Sequence, residues 1–231
     1  MKDLSRRLEV ITSVIPQGAA VCDVGTDHAH LPIFIRKTGK AKSVIATDIR
    51  LKPLNNAKLN IEKAQVSGVD LRLCDGLDGV KKGEADCIVI AGMGGEVISG
   101  IIERCSWARM SGLTFILQPM TSPEFLRKYL FDEGFDIDLE IPVSDNGKLY
   151  SVIKAVYKGR PVGYKPYELY SGRITANSPD GFAYIKKQYN RCFKCCKSLE
   201  NIPVKKSDYL YFKEISQGLK SLLKSENANG I

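Results

Sequence analysis

Short apolar runs alternate with longer amphipathic segments along the first two thirds of the chain, a pattern typical of an α/β fold. The runs predict five buried strands followed by a hairpin of two more, at residues 19–24, 43–47, 71–74, 85–91, 113–120, 137–143 and 149–157. Apolar residues at three- and four-residue spacing predict the helices, at 3–14, from 33, at 53–66, from 97 and at 123–133. We therefore expect a mostly parallel seven-stranded sheet whose final strand is reversed.

The pattern changes near residue 159, where prolines and glycines interrupt a region without strand alternation. From Asp180 onward the apolar residues again follow helical spacing as far as Pro203, and the pattern repeats from Ser207 to about Lys224. Two helices joined by a short turn are expected to pack as an antiparallel hairpin. The sequence therefore predicts a sheet domain at 1–158 and a helical-hairpin domain at 159–231, with a linker between them.

Most of the net charge of +8 lies in the second region. From Arg160 onward, 13 Lys and Arg stand against 6 Asp and Glu, whereas the preceding part carries 21 against 20. A basic appendage on a nearly neutral domain favours a polyanionic partner, and RNA is the expected one. The candidate RNA contacts are Lys186, Lys187, Arg191, Lys194 and Lys197. A solvated lysine-rich helix surface is the alternative interpretation.

An acidic loop follows the first predicted strand and contains Asp23, Gly25 and Asp27. Asp48 ends the second strand, 25 residues after Asp23, at the place where an acid binds ribose hydroxyls in open α/β sheets. The G-x-G-x-x-G fingerprint is missing, and an acidic loop would repel a pyrophosphate. These features favour S-adenosylmethionine, a cationic nucleoside without phosphate. The alternative is that the acids cap helices or face solvent.

The fourth strand ends in a glycine-rich turn, Gly92-Met93-Gly94-Gly95, where the backbone can approach a substrate closely. An Asn/Asp-Pro-Pro-aromatic motif, common in methyltransferases that act on exocyclic amines, is absent from this position, which favours a ring nitrogen as the target. Gln118 ends the fifth strand, where it can donate and accept hydrogen bonds near the cleft. A tight structural turn is the alternative explanation of the glycines.

Several classes of protein are not expected from the sequence. The chain has no apolar run of the ~20 residues that would cross a bilayer and no apolar signal core near Met1, so we expect a cytoplasmic protein. Seven cysteines, several of them in apolar strands, favour reduced thiols. Cys192, Cys195 and Cys196 lack a second ligand pair, and we expect no metal site. A monomer is expected, and a dimer is left open.

Four segments together resemble the bacterial tRNA adenine-22 N1-methyltransferase family over nearly the whole chain. They are Leu4-Ser5-x-Arg7-Leu8, Asp23-Val24-Gly25-Thr26-Asp27-His28-Ala29-x-Leu31-Pro32, Ala91-Gly92-Met93-Gly94-Gly95 and Leu117-Gln118-Pro119. His30 departs from the expected tyrosine. The resemblance implies a class I Rossmann-like methyltransferase domain with a coiled-coil-like C-terminal hairpin, and methyl transfer from S-adenosylmethionine to N1 of an adenine of tRNA.

The resemblance and the strand ends together give the candidate site. The candidate catalytic residues are Asp27, His28, Gly92, Met93, Gly94 and Gln118. The candidate cofactor-binding residues are Asp23, Gly25, Asp27, Asp48, Ile49, Asp75, Gly76, Leu77, Ala91 and Gly92. Two alternatives remain open: a tRNA-binding scaffold without catalysis, and a methyltransferase of another RNA or of a small molecule or protein.

Overall fold

The computed structural model describes residues 4–224. Its centre is a seven-stranded sheet in the order β3-β2-β1-β4-β5-β7-β6, in which β7 alone runs in the direction opposite to the other six strands. The strands are β1 Ala19–Val24, β2 Ala41–Asp48, β3 Val69–Leu73, β4 Cys87–Gly94, β5 Thr114–Thr121, β6 Phe135–Asp145 and β7 Lys148–Tyr157. The strand order reverses between β1 and β4, and ligands of such sheets bind at the carboxyl ends beside this reversal.

Helices cover both faces of the sheet. They are α1 Arg6–Val14, α2 His30–Lys37, α3 Leu51–Lys63, α4 Gly95–Arg104, α5 Pro123–Asp132, α6 Glu168–Ser171, α7 Pro179–Leu199 and α8 Lys206–Lys224, with a 3-10 turn at Pro203–Lys205. Every residue of β1 is buried, as expected for a central strand. None of the helices within residues 4–224 is long and apolar enough to cross a membrane.

The predicted fold class and all seven strands are confirmed, whereas several element ends differ from the prediction. The predicted helix start at residue 3 lies outside the described residues. Helix α3 begins at Leu51, ahead of Pro53, because the N–H groups of a first helical turn need no partner within the helix. Strand β4 continues to Gly94, since Met93 and Gly94 still pair with β5 across a register shift, so α4 begins at Gly95 and not near Val97.

The segment after β7 packs against the sheet domain. The Val162 N–H donates to the Phe131 carbonyl oxygen at 2.9 Å, and Leu169 and Tyr170 of α6 are buried. The predicted linker is thus an ordered connection that holds a short helix. Ile185 of α7 and Leu219 of α8 belong to the same hydrophobic cluster as the strand residues of this face. The two predicted hairpin helices are present, and they share a core with the sheet; the division at residue 159 stays a prediction.

A buried ion pair holds this arrangement together. Arg127 of α5 and Glu140 of β6 are both fully buried and lie 2.6 Å apart. The same guanidinium donates to the Leu169 carbonyl oxygen at 2.7 Å and to the Tyr184 hydroxyl of α7 at 2.8 Å. The Arg173 N–H donates to the second oxygen of Glu140 at 3.1 Å. One charge pair therefore ties the sheet, α5, α6 and α7 to each other.

Candidate active site

An open cavity of about 670 Å³ lies at the carboxyl ends of β1, β2 and β4, at the reversal of the strand order. Its volume is in the range of small-molecule sites. Ten of the predicted site residues line it, namely Asp23, Gly25, Asp27, Asp48, Ile49, Asp75, Gly76, Ala91, Gly92 and Met93. The acids that are 25 residues apart in the sequence therefore meet at one site.

Two of the acids lie deep in the cavity wall. Asp23 is the next-to-last residue of β1 and is 7% exposed. Burial raises the pKa of its carboxyl group to about 6, while the Thr26 side chain limits the rise. Asp48 ends β2, is 5% exposed, and accepts a hydrogen bond from the Arg50 N–H at 2.8 Å. Buried carboxylates are costly without a partner, so their presence at a cavity favours a ligand with cationic and hydroxyl groups.

Gly25 allows the loop after β1 to pass closely under β4. Its φ is +75°, and a Cβ atom added there would lie 2.2 Å from the Cε atom of Met93. The N–H groups of Gly25 and Thr26 both donate to the Thr47 carbonyl oxygen at 2.8 Å, which fixes the loop to β2. A side chain at residue 25 would thus displace Met93 from the cavity wall.

The turn at 26–29 is strained and faces the mouth of the cavity. His28 and Ala29 have φ values of 59° and 55°, which is uncommon for consecutive residues other than glycine. Asn60 of α3 donates to the His28 carbonyl oxygen at 3.0 Å and holds the turn in place. The Asp27 and His28 side chains are 3.4 Å apart and 75% and 46% exposed. Asp27 lines the cavity, and His28 lies outside it. His30 also lines the cavity, although it is not among the predicted site residues.

The turn after β3 closes another side of the cavity. Gly76 has a φ of +56°, and its carbonyl oxygen accepts from the Thr47 hydroxyl at 3.0 Å. Asp75 is half-exposed and lies 3.2 Å from Arg104 of α4. Leu77 is buried beneath this turn and does not line the cavity. The predicted contact of Leu77 with a ligand stays a prediction, and its buried side chain does not take part in the cavity lining.

Gln118 lies behind the residues that line the cavity and has no surface in the cavity itself. Its side chain is fully buried, and its Oε1 accepts from the Gly92 N–H at 3.1 Å and from Arg7 Nη1 at 2.6 Å. The side-chain amide donates to the Pro119 carbonyl oxygen at 3.0 Å. Gln118 therefore positions the glycine-rich segment and Arg7 and does not line the cavity. Gly94 also lies outside the lining, with Thr121 beside its Cα.

Arg7 is a lining residue that the candidate list omitted. Its guanidinium lies 5.8 Å from the centre of the Tyr150 ring and 3.8 Å from Asp145, and it donates to Met120 Sδ at 3.3 Å. An arginine beside the apolar stripe of an amphipathic helix usually faces solvent. The packing of α1 across β5, β6 and β7 is what turns this cation into the cavity.

The candidate RNA-binding residues of α7 fall into three groups. Lys186 and Lys197 lie on one exposed side of the helix, and Lys187 and Lys194 lie on the adjoining exposed side. Arg191 is 2.9 Å from Glu124 of α5 and 5.2 Å from the centre of the Tyr170 ring. Arg191 thus has a structural role at the contact with α5, and the four lysines remain accessible.

The charges and shape of the cavity suit a cationic nucleoside. Four carboxylates line it against two arginines, Arg7 and Arg50, and the loop after β1 lacks the glycine-rich cradle that binds a pyrophosphate. Within residues 4–224, no group of three or more His, Cys, Asp or Glu side chains is arranged to hold a metal ion.

Comparison with known proteins identifies the family. A family model described as a methyltransferase domain matches residues 4–153. The tRNA (adenine(22)-N(1))-methyltransferase of Bacillus subtilis (strain 168) is 35% identical over 191 residues, which are 82% of this chain and 78% of that protein.

Solved structures agree with the sequence match. The crystal structure of the B. subtilis M1A22 tRNA methyltransferase TrmK has a TM-score of 0.85 at 28% identity and covers 96% of this chain and 100% of that one. M. capricolum TrmK, in complex with the cofactor product S-adenosyl-homocysteine, has a TM-score of 0.78 at 27% identity, with coverages of 96% and 98%. The extent of the sequence match, the shared fold and the acidic cavity all lead to the same assignment: the chain belongs to the tRNA (adenine-22-N1)-methyltransferase family.

Proposed function

We propose that this protein transfers a methyl group from S-adenosylmethionine to N1 of adenine 22 in tRNA. The observation that carries the proposal is the acidic cavity at the strand reversal, where residues of three family segments meet Asp48 and Asp75 at the ends of the neighbouring strands. Family membership and the relative solved with the cofactor product support the cofactor assignment. The basic hairpin beside the sheet supports a polyanionic substrate.

The cofactor fits the cavity from β1 to β3. Asp23 and Asp27 face its methionine end, where the carboxylates attract the ammonium and sulfonium groups, and Gly25 lets the backbone approach. Asp48 accepts hydrogen bonds from the ribose hydroxyls, and Ile49, which is 63% exposed in the structure, packs on the adenine ring. Asp75, Gly76 and Leu77 bind the edge of that ring. Ala91 and Gly92 of β4 line the cavity on the side opposite Asp48 and Ile49.

When bound, S-adenosylmethionine supplies a methyl group on a positively charged sulfur, which the lone pair of adenine N1 can attack directly. The protein's own contribution is positional, since holding the two reacting atoms in line lowers the barrier without covalent participation. The adenine must leave its base-paired position to expose N1. Gly92 and Met93 line the pocket for that adenine, and Gly94 supports them from outside the lining. Gln118 fixes this segment through the Gly92 N–H.

Asp27 and His28 position the target base at the mouth of the cavity. Methylation at N1 makes the adenine cationic, so the Asp27 carboxylate stabilises the product as the charge develops. Both side chains are accessible, and the strained turn holds them together. Arg7 joins this set, because it lines the cavity near Met120 on the side away from Asp48.

The remaining assignments concern the setting of the reaction. The hairpin lysines Lys186, Lys187, Lys194 and Lys197 bind tRNA phosphates, and the enzyme works in the cytoplasm as a monomer. Sedimentation of the purified protein with and without tRNA measures its oligomeric state.

The deciding experiment measures the methylated nucleoside. Purified protein is incubated with labelled S-adenosylmethionine and an unmodified tRNA transcript that has adenine at position 22, and the digest is analysed by mass spectrometry. We expect 1-methyladenosine, and we expect none with guanine at position 22. Cofactor binding without product on any tRNA would instead point to another methyl acceptor, and failure to bind the cofactor would favour the scaffold alternative.

A further inference from the structure

One exposed side of α7 carries aromatic residues between lysines. The side of α7 that holds Ile185 and Cys192 packs against α8 and the sheet, and Arg191 contacts α5. The side with Lys187 and Lys194 is exposed. At about 100° per residue, five of the remaining residues lie within an arc of about 80°. These five, Phe182, Lys186, Tyr189, Phe193 and Lys197, are called the aromatic stripe below.

Phe182 and Phe193 of the aromatic stripe are exposed, whereas Tyr189 is partly buried against the hydrophobic core. Phe182 is 44% exposed and Phe193 is 42% exposed. The rings of Tyr189 and Phe193 stack with centroids 5.6 Å apart and planes inclined by 22°. The Lys186 and Lys197 ammonium groups lie 5.9 and 6.0 Å from the centres of the Tyr189 and Phe193 rings, respectively. Planar apolar faces and flexible cations thus alternate along one surface.

The aromatic stripe is attached to the part of the molecule that holds the cavity. At the start of α7, Asp180 lies 3.0 Å from Arg6, next to the lining residue Arg7. Farther along the helix, Arg191 lies 2.9 Å from Glu124, four residues after the lining residue Met120. Two ion pairs therefore hold α7 beside the elements that form the cavity, and its 21 residues extend from there for about 30 Å.

We propose that the aromatic stripe binds unpaired nucleotides of the tRNA substrate by stacking their bases on Phe193, Tyr189 and Phe182. The proposal rests on the proposed function, and it adds a base contact to the phosphate contacts of the lysines. Aromatic side chains that alternate with cations in a basic region are typical of sites for single-stranded RNA. The alternation also disfavours an apolar protein partner, because Lys186 and Lys197 would lose hydration at such an interface.

The test compares tRNA affinity across substitutions that separate stacking from volume. We expect Phe193→Ala and Phe182→Ala each to weaken binding by roughly tenfold, since both rings are exposed. Phe193→Leu should weaken it nearly as much because it keeps an apolar side chain without a ring, and Phe193→Trp should bind at least as well as the wild type. Leu59→Ala on α3, another exposed apolar residue, is the matched control and should have no effect.

Two further measurements, the salt dependence of binding and binding to duplex RNA, distinguish base stacking from phosphate contacts. The aromatic variants should keep the wild-type slope of log affinity against log salt, since they remove no charge. Their defect should disappear on a fully paired RNA duplex, which has no base to stack. Equal binding of tRNA by Phe193→Ala, Phe193→Leu and the wild type would overturn the proposal. A loss of self-association in Phe193→Ala without a change in tRNA affinity would also overturn it and would assign the stripe to a second copy of the chain.

Different results would contradict the stacking role of the aromatic stripe and the proposed methylation reaction. If the wild type forms 1-methyladenosine and the aromatic variants bind tRNA normally, only the stacking role is wrong. If the wild type forms no 1-methyladenosine on any tRNA, the assignment of the reaction is wrong.

Discussion

Asp23 is buried, so ionisation of its carboxyl group destabilises the folded protein. Burial raises the pKa of its carboxyl group from 3.8 to about 6. Between these two values the folded protein binds more protons at Asp23 than the unfolded chain, so the free energy of unfolding falls as the pH rises through this window. The full effect is at most about 3 kcal/mol. The cavity therefore keeps a destabilising charge that a cationic ligand can neutralise.

Substitution of Asp23 should separate stability from cofactor binding. When the pH rises from about 5 to 7.5, ionisation of Asp23 should lower the unfolding free energy of the wild type by about 1 kcal/mol. Asp23→Asn has no carboxyl group at this position and should not show this decrease. The variant should bind S-adenosylmethionine at least tenfold more weakly, without the tightening that ionisation gives the wild type near pH 6. Urea denaturation and calorimetric titration at several pH values measure the two effects. Asp138→Asn, at an exposed position, is the control.

Gln118 should matter for turnover although it lies outside the cavity lining. Gln118→Leu leaves the Gly92 N–H and Arg7 Nη1 without their shared acceptor, at a cost of about 1–3 kcal/mol in unfolding free energy. We expect kcat to fall by about tenfold or more, because small displacements at a reacting site are costly. Gln118→Glu keeps the acceptor oxygen and should retain most of the activity. Normal turnover in Gln118→Leu would remove this residue from the mechanism.

The acids could be predicted from the strand pattern, whereas Arg7 is marked only by the family segment Leu4-Ser5-x-Arg7-Leu8 and by no helix or strand pattern. Asp23, Asp48 and Asp75 each end or follow a strand of a parallel sheet, and parallel strands bring their carboxyl ends to one edge. Arg7 precedes the first strand on a helix whose polar side would ordinarily face solvent. Its position follows from the packing of α1 over β5 to β7, a long-range contact that no local pattern encodes.

The buried Arg127–Glu140 ion pair joins α5, β6 and α7, so substitutions at these two residues measure how much the pair contributes to stability. Arg127→Met should cost about 3–5 kcal/mol of unfolding free energy, since it leaves Glu140 charged and buried. A second substitution, Glu140→Leu, should recover part of that loss. Arg109→Met breaks the partly exposed pair with Glu133 and should cost less than about 1 kcal/mol. Urea denaturation measures all three; an Arg127→Met protein as stable as the wild type would contradict the assignment.

Strands were easier to predict than the ends of helices. A central parallel strand is a nearly continuous apolar run, and β1, apart from Asp23, and the first five residues of β4 show this pattern directly in the sequence. The helix starts at His30 and Leu51 are obscured by Pro32 and Pro53, which are compatible with a first helical turn. Helix α6 has only four residues, too few to show a periodicity, and it is ordered by its contact with Arg127.

The hairpin is part of the hydrophobic core, and this limits how its function can be tested. Tyr184, Ile185 and Leu219 are buried in the cluster that covers one face of the sheet. Deleting residues 160–231 would expose that face and remove the Leu169 and Tyr184 partners of Arg127. Loss of activity after such a deletion would reflect unfolding as much as loss of RNA contacts. Surface substitutions on α7 are therefore the informative experiment.

Neutralising the exposed lysines of α7 should change how tRNA binding depends on salt. Each of Lys186, Lys187, Lys194 and Lys197 that contacts a phosphate contributes about 0.7–0.9 to the slope of log affinity against log salt concentration. Replacing all four by Gln should lower that slope by about 3 and weaken binding most at low salt, while S-adenosylmethionine affinity and the free energy of unfolding stay unchanged.

Two single variants distinguish RNA contacts from general charge. Lys82→Gln removes an exposed cation in the loop before β4, at the edge of the sheet opposite the cavity, and should leave the slope unchanged. Arg191→Gln should reduce stability through loss of the Glu124 pair, with little effect on the slope. Filter-binding titrations over a range of salt concentrations measure the slopes. An unchanged slope in the fourfold lysine variant would place the RNA contacts elsewhere, because a phosphate contact cannot be lost without a change in counterion release.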